Sequence, residues 1–402
     1  MGAALVTHTF PFQPDESTAN VSSLPNQRDL FDLPDDIAYL NCAYMGLQPR
    51  AATAAGQEAL ALKGRAWQIG AADFFTGPER LRELYATLVG GDADGVALVP
   101  SASYAIGTAA ANLRVHAGDR IVVLAEQFPA NVYPWRAVAA RSGAEVVTVP
   151  RPGDDDWTAA LLEHVGERVA VVSLPNCHWT DGGLVDLEAV RAACDRVGAA
   201  LVVDGSQSVG ALPLDVGRVR PDVLVSVGYK WLLGPYSLGF AWFAPHLRDG
   251  VPLEETWYAR AGSEDFSGLV DYVDEYQPGA RRYDVGEVAN FALVPVAEAA
   301  LRQILSWGVE RISTALAAHT RAIAEGAVAL GLGVAPEHRR SPHLLGLRLP
   351  HGSEPGAVAA ELAQRSVHVS VRGSSVRVSP HLWTTERDIA ALLDGLAAAV
   401  PR

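Results

Sequence analysis

The sequence has two lysines, three cysteines, an excess of acidic over basic residues and no long apolar run. The last three of these features exclude classes of protein. Only two of its 32 basic residues are lysines, and acidic residues outnumber basic ones, so the formal net charge is −14. That charge argues against nucleic acid or an anionic membrane surface as a partner. Cys42, Cys177 and Cys194 lack paired spacing, so they indicate neither a disulfide framework nor a zinc site, and no metal site is expected. No apolar stretch reaches the length of a membrane span and no secretory signal is evident, so we expect a cytoplasmic protein.

The order of the apolar runs predicts a large α/β domain followed by a smaller α+β domain. At 402 residues, 49% of them hydrophobic, the chain is long enough for two core-rich domains. Runs typical of buried strands alternate with stretches of helical period, which is the pattern of a mostly parallel sheet covered by helices. The predicted strands are 95–99, 120–124, 145–149, 169–173, 200–203, 223–227 and 238–244, with helices at 130–141 and 186–197 among them.

Beyond about residue 290 the pattern changes. One long helical segment, 295–330, precedes strand candidates at 344–349, 367–371 and 375–379 and a closing helix at 385–399. We therefore expect an N-terminal arm (residues 1–30), a large domain (31–290) and a small domain (291–402).

Lys230 is the first candidate for a functional residue. It follows the predicted strand 223–227 and lies between two aromatic residues, Tyr229 and Trp231. A lysine in dry, aromatic surroundings has its amine shifted toward the neutral, nucleophilic form that imine formation with a carbonyl needs. The alternative is a lysine that packs its stem along an apolar surface and keeps its charge in water.

Asp204 and Gln207 follow the preceding predicted strand, at the edge of the sheet where α/β proteins bind ligands. With a pyridine-type cofactor, Asp204 would pair with the ring nitrogen and keep it protonated, and Gln207 would donate a hydrogen bond to the ring hydroxyl. The alternative for Asp204 is a cap of the next helix or turn.

Two further segments follow predicted strands. Ser101, Ala102 and Ser103 open an Ala/Gly-rich helical stretch, whose free N–H groups suit a phosphate, although a plain serine cap explains the same residues. Phe128 suits stacking on a planar cofactor or, equally, packing in the core.

Three segments carry a resemblance to a known family. Residues 204–207 (Asp-Gly-Ser-Gln), 229–235 (Tyr-Lys-Trp-Leu-Leu-Gly-Pro) and 377–383 (Arg-Val-Ser-Pro-His-Leu-Trp) resemble those of fold-type I, pyridoxal 5′-phosphate (PLP) enzymes of the class V aminotransferase group. That group includes cysteine desulfurases, kynureninases and isopenicillin N epimerase, and the resemblance covers roughly residues 35–400. It implies PLP as the cofactor, an amino acid as the substrate, and a mostly parallel mixed sheet beside a smaller C-terminal α+β domain.

The resemblance also assigns roles to individual residues. Lys230 would be the Schiff-base lysine, Asp204 would pair with the pyridinium, Gln207 with the ring oxygen, and Phe128 would stack on the ring. The phosphate would be held by a small set of residues: Ser101, Ala102, Ser103 and Tyr229.

On the substrate side, Arg377 matches the arginine that binds the α-carboxylate, a task suited to a planar guanidinium, and Arg372 is the second choice for it. A surface ion pair is the alternative for both arginines. Asn176 and His178, in a loop similar to the family's substrate mouth, would assist substrate binding, although a structural role for His178 is an equal alternative. The stretch 281–290, ending in Asn290, matches one that reaches the partner's phosphate pocket, which implies a homodimer with shared active sites.

The sequence restricts the reaction without fixing it. Cysteine desulfurases carry a nucleophilic cysteine shortly before the carboxylate arginine, whereas residues 371–377 contain none, so persulfide-forming desulfuration is not expected. A further resemblance, to enzymes of actinobacterial secondary metabolism that process cysteine S-conjugates in lincosamide antibiotic assembly, favours C–S β-elimination. Transamination, epimerisation and decarboxylating deamination stay open, because PLP chemistry depends on which Cα bond is broken and where the proton goes. A catalytically silent PLP-fold binding protein is the alternative from another class.

Overall fold

The computed structural model describes residues 24–400, which form a seven-stranded sheet covered by helices, a smaller, three-stranded sheet near the C-terminus and a separate pair of two-residue strands. Within that range the strands are β1 (Ala38–Tyr39), β2 (Val96–Val99), β3 (Arg120–Leu124), β4 (Glu145–Val149), β5 (Val169–Pro175), β6 (Ala200–Asp204), β7 (Val223–Val227), β8 (Gly239–Phe243), β9 (Leu345–Arg348), β10 (Val367–His368), β11 (Ser370–Arg372) and β12 (Ser375–Val378). The α-helices are α1 (Arg50–Lys63), α2 (Asp73–Val89), α3 (Ala102–Asn112), α4 (Tyr133–Ser142), α5 (Trp157–Leu162), α6 (Leu187–Val197), α7 (Val216–Val219), α8 (Leu293–Trp307), α9 (Val309–Ala329), α10 (Pro355–Gln364) and α11 (Glu386–Ala399).

The large sheet has the strand order β2-β8-β7-β6-β5-β3-β4. Strands β4, β3, β5, β6 and β7 are parallel, and β8 runs antiparallel to both of its neighbours, β7 and β2. Helices cover both faces, so the central strands are apolar at almost every position and read as continuous hydrophobic runs. The predicted mostly parallel mixed sheet is therefore confirmed.

The smaller sheet has the order β11-β12-β9, with both pairs antiparallel. Side chains alternate along a strand, so Val376 and Val378 enter the core beneath α9, α10 and α11 while Ser375 and Arg377 point to the other face. That other face is turned toward the large sheet, because Arg377 donates a hydrogen bond to the carbonyl of Trp179.

Two predicted elements of the C-terminal part differ from the structure. The helical segment 295–330 is two helices, because Gly308, at φ 78°, adopts a backbone conformation that only glycine takes readily and ends α8 there. The predicted strand 367–371 is also two strands. β10 pairs in parallel with β1, and β11 pairs with β12, so one apolar run serves two different sheets.

Residues at the start of the described chain pack against its C-terminal part. Arg28 is buried and binds the Asp388 carboxylate at 2.9 Å, and β1 lies beside β10, so residues near the N-terminus contact the C-terminal part. Residues 1–23 of the expected arm lie outside the described residues, and the division at residues 30 and 290 stays a prediction. Between residues 24 and 400 no helix combines the length and apolarity that crossing a bilayer requires.

Candidate active site

A pocket of about 300 Å³ lies at the carboxyl edge of the large sheet. Parallel strands end at the same edge, so the residues that follow β3, β5, β6 and β7 converge there, and the segment after β2 joins them. The pocket is lined by Pro100, Ser101, Ala102, Ser103, Gln127, Phe128, Ala130, Asn131, Pro175, Cys177, Trp179, Asp204, Ser206, Gln207, Val227, Tyr229, Lys230, Tyr236 and Ser237. Every predicted cofactor-binding residue except Asn290 is in this set.

Lys230 is buried in the turn after β7, and its ammonium group lies 5.4 Å from the centroid of the Phe128 ring. Burial lowers its pKa to about 8, and the positive charges of Arg377 and Arg372 act in the same direction, while the Asp204 carboxylate opposes them. The backbone around Lys230 is fixed by the segment before α1, since the Gly46 N–H donates to the Tyr229 carbonyl at 2.9 Å. A β-carbon at Gly46 would come within 2.1 Å of the Lys230 carbonyl oxygen, so that close approach requires glycine.

Asp204 closes β6 and is buried at the base of the same pocket. One of its carboxylate oxygens accepts the Ser206 N–H at 3.0 Å, and no arginine or lysine of the described residues forms an ion pair with it. Gln207 is held on both sides, because its amide donates to the Ala43 carbonyl at 3.1 Å and its oxygen accepts the Trp231 indole N–H at 2.9 Å. Asp204 and Lys230 thus share one pocket, as the sequence argument requires.

The first turn of α3 forms the other end of the pocket. Ser101 caps this helix by accepting the Tyr104 N–H at 3.1 Å, and its hydroxyl lies 3.0 Å from that of Ser103. The capping alternative for Ser101 is therefore real, and it coexists with a free helix N-terminus at Ala102 and Ser103 that faces the pocket. Tyr229 flanks this end and packs its ring against Tyr236 at 4.6 Å.

Arg377, on β12, is buried and does not itself line the pocket, but it contacts the lining residue Trp179. One guanidinium nitrogen donates to the Trp179 carbonyl at 2.8 Å, while Nε and the other terminal nitrogen have no partner among the described residues. Burial lowers the pKa of Arg377 to about 9, helped by the neighbouring charge of Arg372. An unpaired fork of this kind fits a carboxylate.

Two predicted substrate-binding residues, His178 and Asn176, are buried and do not line the pocket. His178 is buried, stacks on Trp157 with 4.9 Å between ring centroids, and bonds the Thr180 hydroxyl at 2.7 Å and the Ala125 carbonyl at 3.1 Å. Burial lowers its pKa, so the ring is neutral and holds the loop that presents its neighbour Trp179. Asn176 is also buried and outside the lining, with a side-chain oxygen that has no partner in the described part of the chain.

Asn290 lies outside this pocket, in a second cavity beside Phe74 and Trp257, where its side chain caps the start of α8. The structure therefore does not bring Asn290 together with Ser101 to Ser103 within one chain. Its predicted contact with a partner subunit's phosphate pocket stays a prediction.

Two polar lining residues that have an unpartnered hydrogen-bonding group were not predicted from the sequence. The Nδ2 of Asn131 and the hydroxyl of Ser206 are buried in the pocket and lack partners among the described residues. Asn131 is fixed by the Ser173 hydroxyl, which donates to its oxygen at 2.6 Å. Ser206 lies within the 204–207 motif, but residue type and spacing do not show that these two polar groups lack partners, since that depends on how the segments after β3 and β6 assemble.

This arrangement fits a planar, phosphorylated pyridine aldehyde. Lys230 supplies the amine, Asp204 the partner for a ring nitrogen, and Phe128 a ring face. The N-terminus of α3 and the unpartnered Ser206 hydroxyl supply donors for phosphate. The fold and the pocket together define an α/β enzyme that uses such a cofactor.

Comparison with known proteins identifies the family. The family model described as Aminotransferase class-V matches residues 57–391, and the chain belongs to that family. The family consists of enzymes that use pyridoxal 5′-phosphate, so the predicted cofactor, the enzyme class and the resemblance are confirmed.

Individual relatives and a solved structure agree with this. An uncharacterized aminotransferase, YcbU of Bacillus subtilis (strain 168), is 28% identical, over 85% of this chain and 88% of its own length. Isopenicillin N epimerase of Streptomyces clavuligerus is 26% identical, over 79% of this chain and 83% of its own. The fold matches that of the cystine C-S lyase C-DES in complex with its reaction product cysteine persulfide, with a TM-score of 0.82 at 21% identity over 91% of this chain and 99% of that one.

Proposed function

We propose that this enzyme cleaves the Cβ–S bond of a cysteine S-conjugate, releasing a thiol, pyruvate and ammonia with consumption of one water. The observation that carries the proposal is the set of acid–base groups around the pocket. Lys230 is the lysine that lines the pocket, and its pKa of about 8 lets it take the α-proton near neutral pH. When bound, the cofactor supplies the electron sink that makes this proton acidic.

The remaining residues orient the substrate for that proton transfer. Arg377 would hold the α-carboxylate through its two unpartnered nitrogens, and Trp179 and Phe128 would form an apolar wall on one side. Such fixed positioning selects the Cα bond that is broken. The proton on Lys230 is then available to the departing sulfur.

Two features support elimination over other reactions of the family. The hairpin Val371–Arg377 carries no cysteine to accept sulfur, and Cys177, the lining thiol, has its pKa raised to about 12 by burial. Epimerisation needs a second group that returns a proton to the opposite side of Cα. Burial also raises the pKa of Tyr229 to about 12, so neither of these two groups is a ready partner for Lys230.

Transamination is the second candidate. The same Lys230 amine could return the proton to the cofactor instead of assisting sulfur departure, and YcbU is described as an aminotransferase. The fold itself accommodates C–S cleavage, since C-DES is described as a C-S lyase. Decarboxylating deamination and epimerisation remain further alternatives of the same family.

The test is product analysis with the PLP-loaded enzyme. S-alkyl and S-aryl cysteine conjugates should yield thiol, pyruvate and ammonia in equal amounts, and Lys230→Ala should abolish all three. Lys63→Ala, which removes the other lysine of the chain, is the matched control and should retain product formation. A keto acid that keeps its sulfur would replace elimination by transamination, recovered D-amino acid would indicate epimerisation, and an aldehyde with loss of CO2 would indicate decarboxylating deamination.

We also infer a homodimer, supported by a cluster of exposed aromatic and apolar side chains near Asn290. Trp257 lines the same cavity as Asn290 and packs against Phe266 with 5.5 Å between ring centroids, and each of the two side chains is 39% exposed. Apolar patches of this kind mark interaction surfaces. Analytical ultracentrifugation should show a mass of two chains, and a single-chain mass would refute the inference.

A further inference from the structure

Arg372 is a half-buried cation beside Trp179, a residue that lines the pocket, and it lacks an anionic partner among residues 24–400. Its guanidinium lies over the ring of Trp179, 5.3 Å from the centroid, and one terminal nitrogen donates to the carbonyl of the adjacent Val371 at 2.7 Å. Its Nε is buried and has no partner, and no carboxylate of residues 24–400 lies within ion-pairing distance. Burial lowers the pKa of Arg372, so holding this charge here is unfavourable without a ligand.

The other arginines that stack on tryptophans are arranged differently. Arg151 lies 5.1 Å from the Trp157 centroid and Arg248 lies 5.6 Å from the Trp242 centroid. Each has a carboxylate partner within 2.8 Å, supplied by Glu126 and Asp92 respectively. Stacking on a tryptophan therefore does not by itself account for an unpaired guanidinium in this acidic protein.

Arg372 and Arg377 leave the small sheet on the same face. In the register of β11 and β12, Arg372 lies opposite Ser375 and Arg377 lies opposite Ser370, and residues directly opposite one another share a face. Ser375 and Arg377 are two positions apart on one strand and share a face as well. Both guanidinium groups accordingly meet Trp179, one at its carbonyl and the other at its ring.

Trp179 fixes the position of Arg372 relative to the reacting centre. Its indole N–H donates to the Glu126 carbonyl at 2.6 Å, and its ring packs edge-on against Phe128 with 5.3 Å between centroids. Phe128 in turn lies beside the Lys230 amine. A chain of contacts thus runs from Arg372 through the rings of Trp179 and Phe128 to the Lys230 amine.

A single substrate α-carboxylate does not provide a ligand for both guanidinium groups, those of Arg377 and Arg372. The unpartnered Nε and terminal nitrogen of Arg377 can bind both oxygens of an α-carboxylate, which leaves Arg372 without a ligand. We propose that Arg372 binds a second acidic group, carried by the substrate's side chain, so that the substrate class is a cysteine S-conjugate with an anionic substituent on sulfur. This inference rests on the proposed function, because it takes Arg377 as the α-carboxylate site.

The test compares a charged ligand with its neutral counterpart. Dissociation constants of S-carboxymethyl-L-cysteine and S-carbamoylmethyl-L-cysteine are measured on the PLP-loaded enzyme from the change in cofactor absorbance. The two probes differ by a carboxylate against an amide of similar shape, so their ratio isolates the side-chain charge. We expect the acid to bind about tenfold more tightly, as for one charge-assisted hydrogen bond.

Variants locate the source of the preference. The ratio should fall to about one in Arg372→Gln and keep an intermediate value in Arg372→Lys, which retains the charge without the planar fork. Arg248→Gln, which also removes an arginine from a tryptophan ring, is the matched control and should keep the wild-type ratio. A purely structural role of Arg372 would weaken both ligands together and leave the ratio unchanged.

A wild-type ratio of about one, an unchanged ratio in Arg372→Gln, or no absorbance response to either probe would overturn the assignment. Product analysis of the same probes separates this inference from the proposed function. Pyruvate, ammonia and thiol formed with equal kcat/KM from both probes would remove only the role of Arg372. Tighter binding of the acid with no thiol release from either probe would support the anion site and overturn C–S elimination.

Discussion

Two buried arginines of this enzyme, Arg82 and Arg377, have opposite surroundings. Arg82 in α2 forms a two-pronged ion pair with the buried Asp284 and also donates to the Val96 carbonyl at 2.6 Å. Arg377 in β12 is as deeply buried but has one neutral partner, the Trp179 carbonyl, and two nitrogens with no partner in the described range 24–400.

The difference in partners distinguishes a charge that stabilises the fold, that of Arg82, from a charge that we propose binds a substrate, that of Arg377. Burial disfavours the charged form of both guanidinium groups, but Asp284 outweighs that effect and raises the pKa of Arg82, whereas the pKa of Arg377 falls to about 9. The Arg82–Asp284 pair joins α2 to the segment before α8 and is complete without a ligand. Arg377 is incomplete, and a substrate carboxylate is the partner that completes it.

Breaking the complete pair should have the largest effect on stability. Asp284→Ala leaves Arg82 charged and buried without its carboxylate, so the free energy of unfolding should fall by about 3–5 kcal/mol. Urea denaturation measures this loss. Asp32→Ala removes the partner of Arg50 in an exposed ion pair and should cost less than about 1 kcal/mol, and equal losses for the two variants would contradict the comparison.

Replacing Arg377, the arginine without an ion-pair partner among residues 24–400, should affect catalysis and not stability. Arg377→Gln should lower kcat/KM for a cysteine S-conjugate by about a hundredfold, since bidentate contacts to a charged group are lost. The unliganded protein should keep its free energy of unfolding or gain slightly, because an uncompensated buried charge is removed. A loss of stability like that of Asp284→Ala, with kcat/KM unchanged, would reverse the roles of the two arginines.

The comparison of buried ionisable groups also includes a histidine that burial keeps neutral. His381 is fully buried among tryptophans with neither ring nitrogen partnered in the described residues, and burial, with His343 and His319 nearby, lowers its pKa to about 3. The unfolded chain therefore binds a proton below about pH 6.5 that the folded chain does not, so stability falls as pH decreases through that value.

This difference in proton binding predicts that replacing His381 makes the protein less sensitive to acid. Between pH 7 and pH 5 His381 should account for about 2 kcal/mol of lost unfolding free energy, and His381→Phe should remove that part of the loss. Denaturation curves at the two pH values provide the measurement, with the exposed His338→Phe as control. Identical acid sensitivity in His381→Phe and wild type would show that this ring does not titrate on unfolding.

The smallest predicted effect concerns Lys230, which burial keeps partly neutral. With a pKa of about 8, roughly a tenth of its amine is neutral at pH 7 and most of it at pH 9, so the rate at which the apoenzyme takes up PLP should rise about tenfold over this interval. Stopped-flow absorbance measures the rate. A rate that does not change with pH, or a midpoint near 10.5, would show that the amine is not desolvated.

The central sheet was predictable from sequence because its strands are buried on both faces and therefore apolar throughout. Lys230, Asp204 and Phe128 were predictable for a related reason, since polar or aromatic residues that follow such strands meet at one edge. The glycine at 308 is a local signal for the break between α8 and α9 that the helical period overrode, whereas the two partners of 367–371 depend on tertiary packing, which a local pattern does not contain.

The roles of Arg372, His178 and Asn131 depend on contacts between distant segments. His178 holds its loop only because Trp157, on a helix that precedes β5, stacks on it. Arg372 shares a face with Arg377 and meets the ring of Trp179 only through the register of β11 and β12. Such relations arise on assembly of the two sheets, so residue type and spacing alone could not reveal them.

The account depends most directly on which amine carries the cofactor. Borohydride reduction of the PLP-loaded protein, followed by peptide mass spectrometry, fixes the cofactor to the amine it is bonded to and identifies that amine. With Lys63 and Lys230 as the two lysines of the chain, we predict one reduced cofactor on the peptide containing Lys230 and none at Lys63. A label at Lys63, or no label on either peptide, would contradict the account.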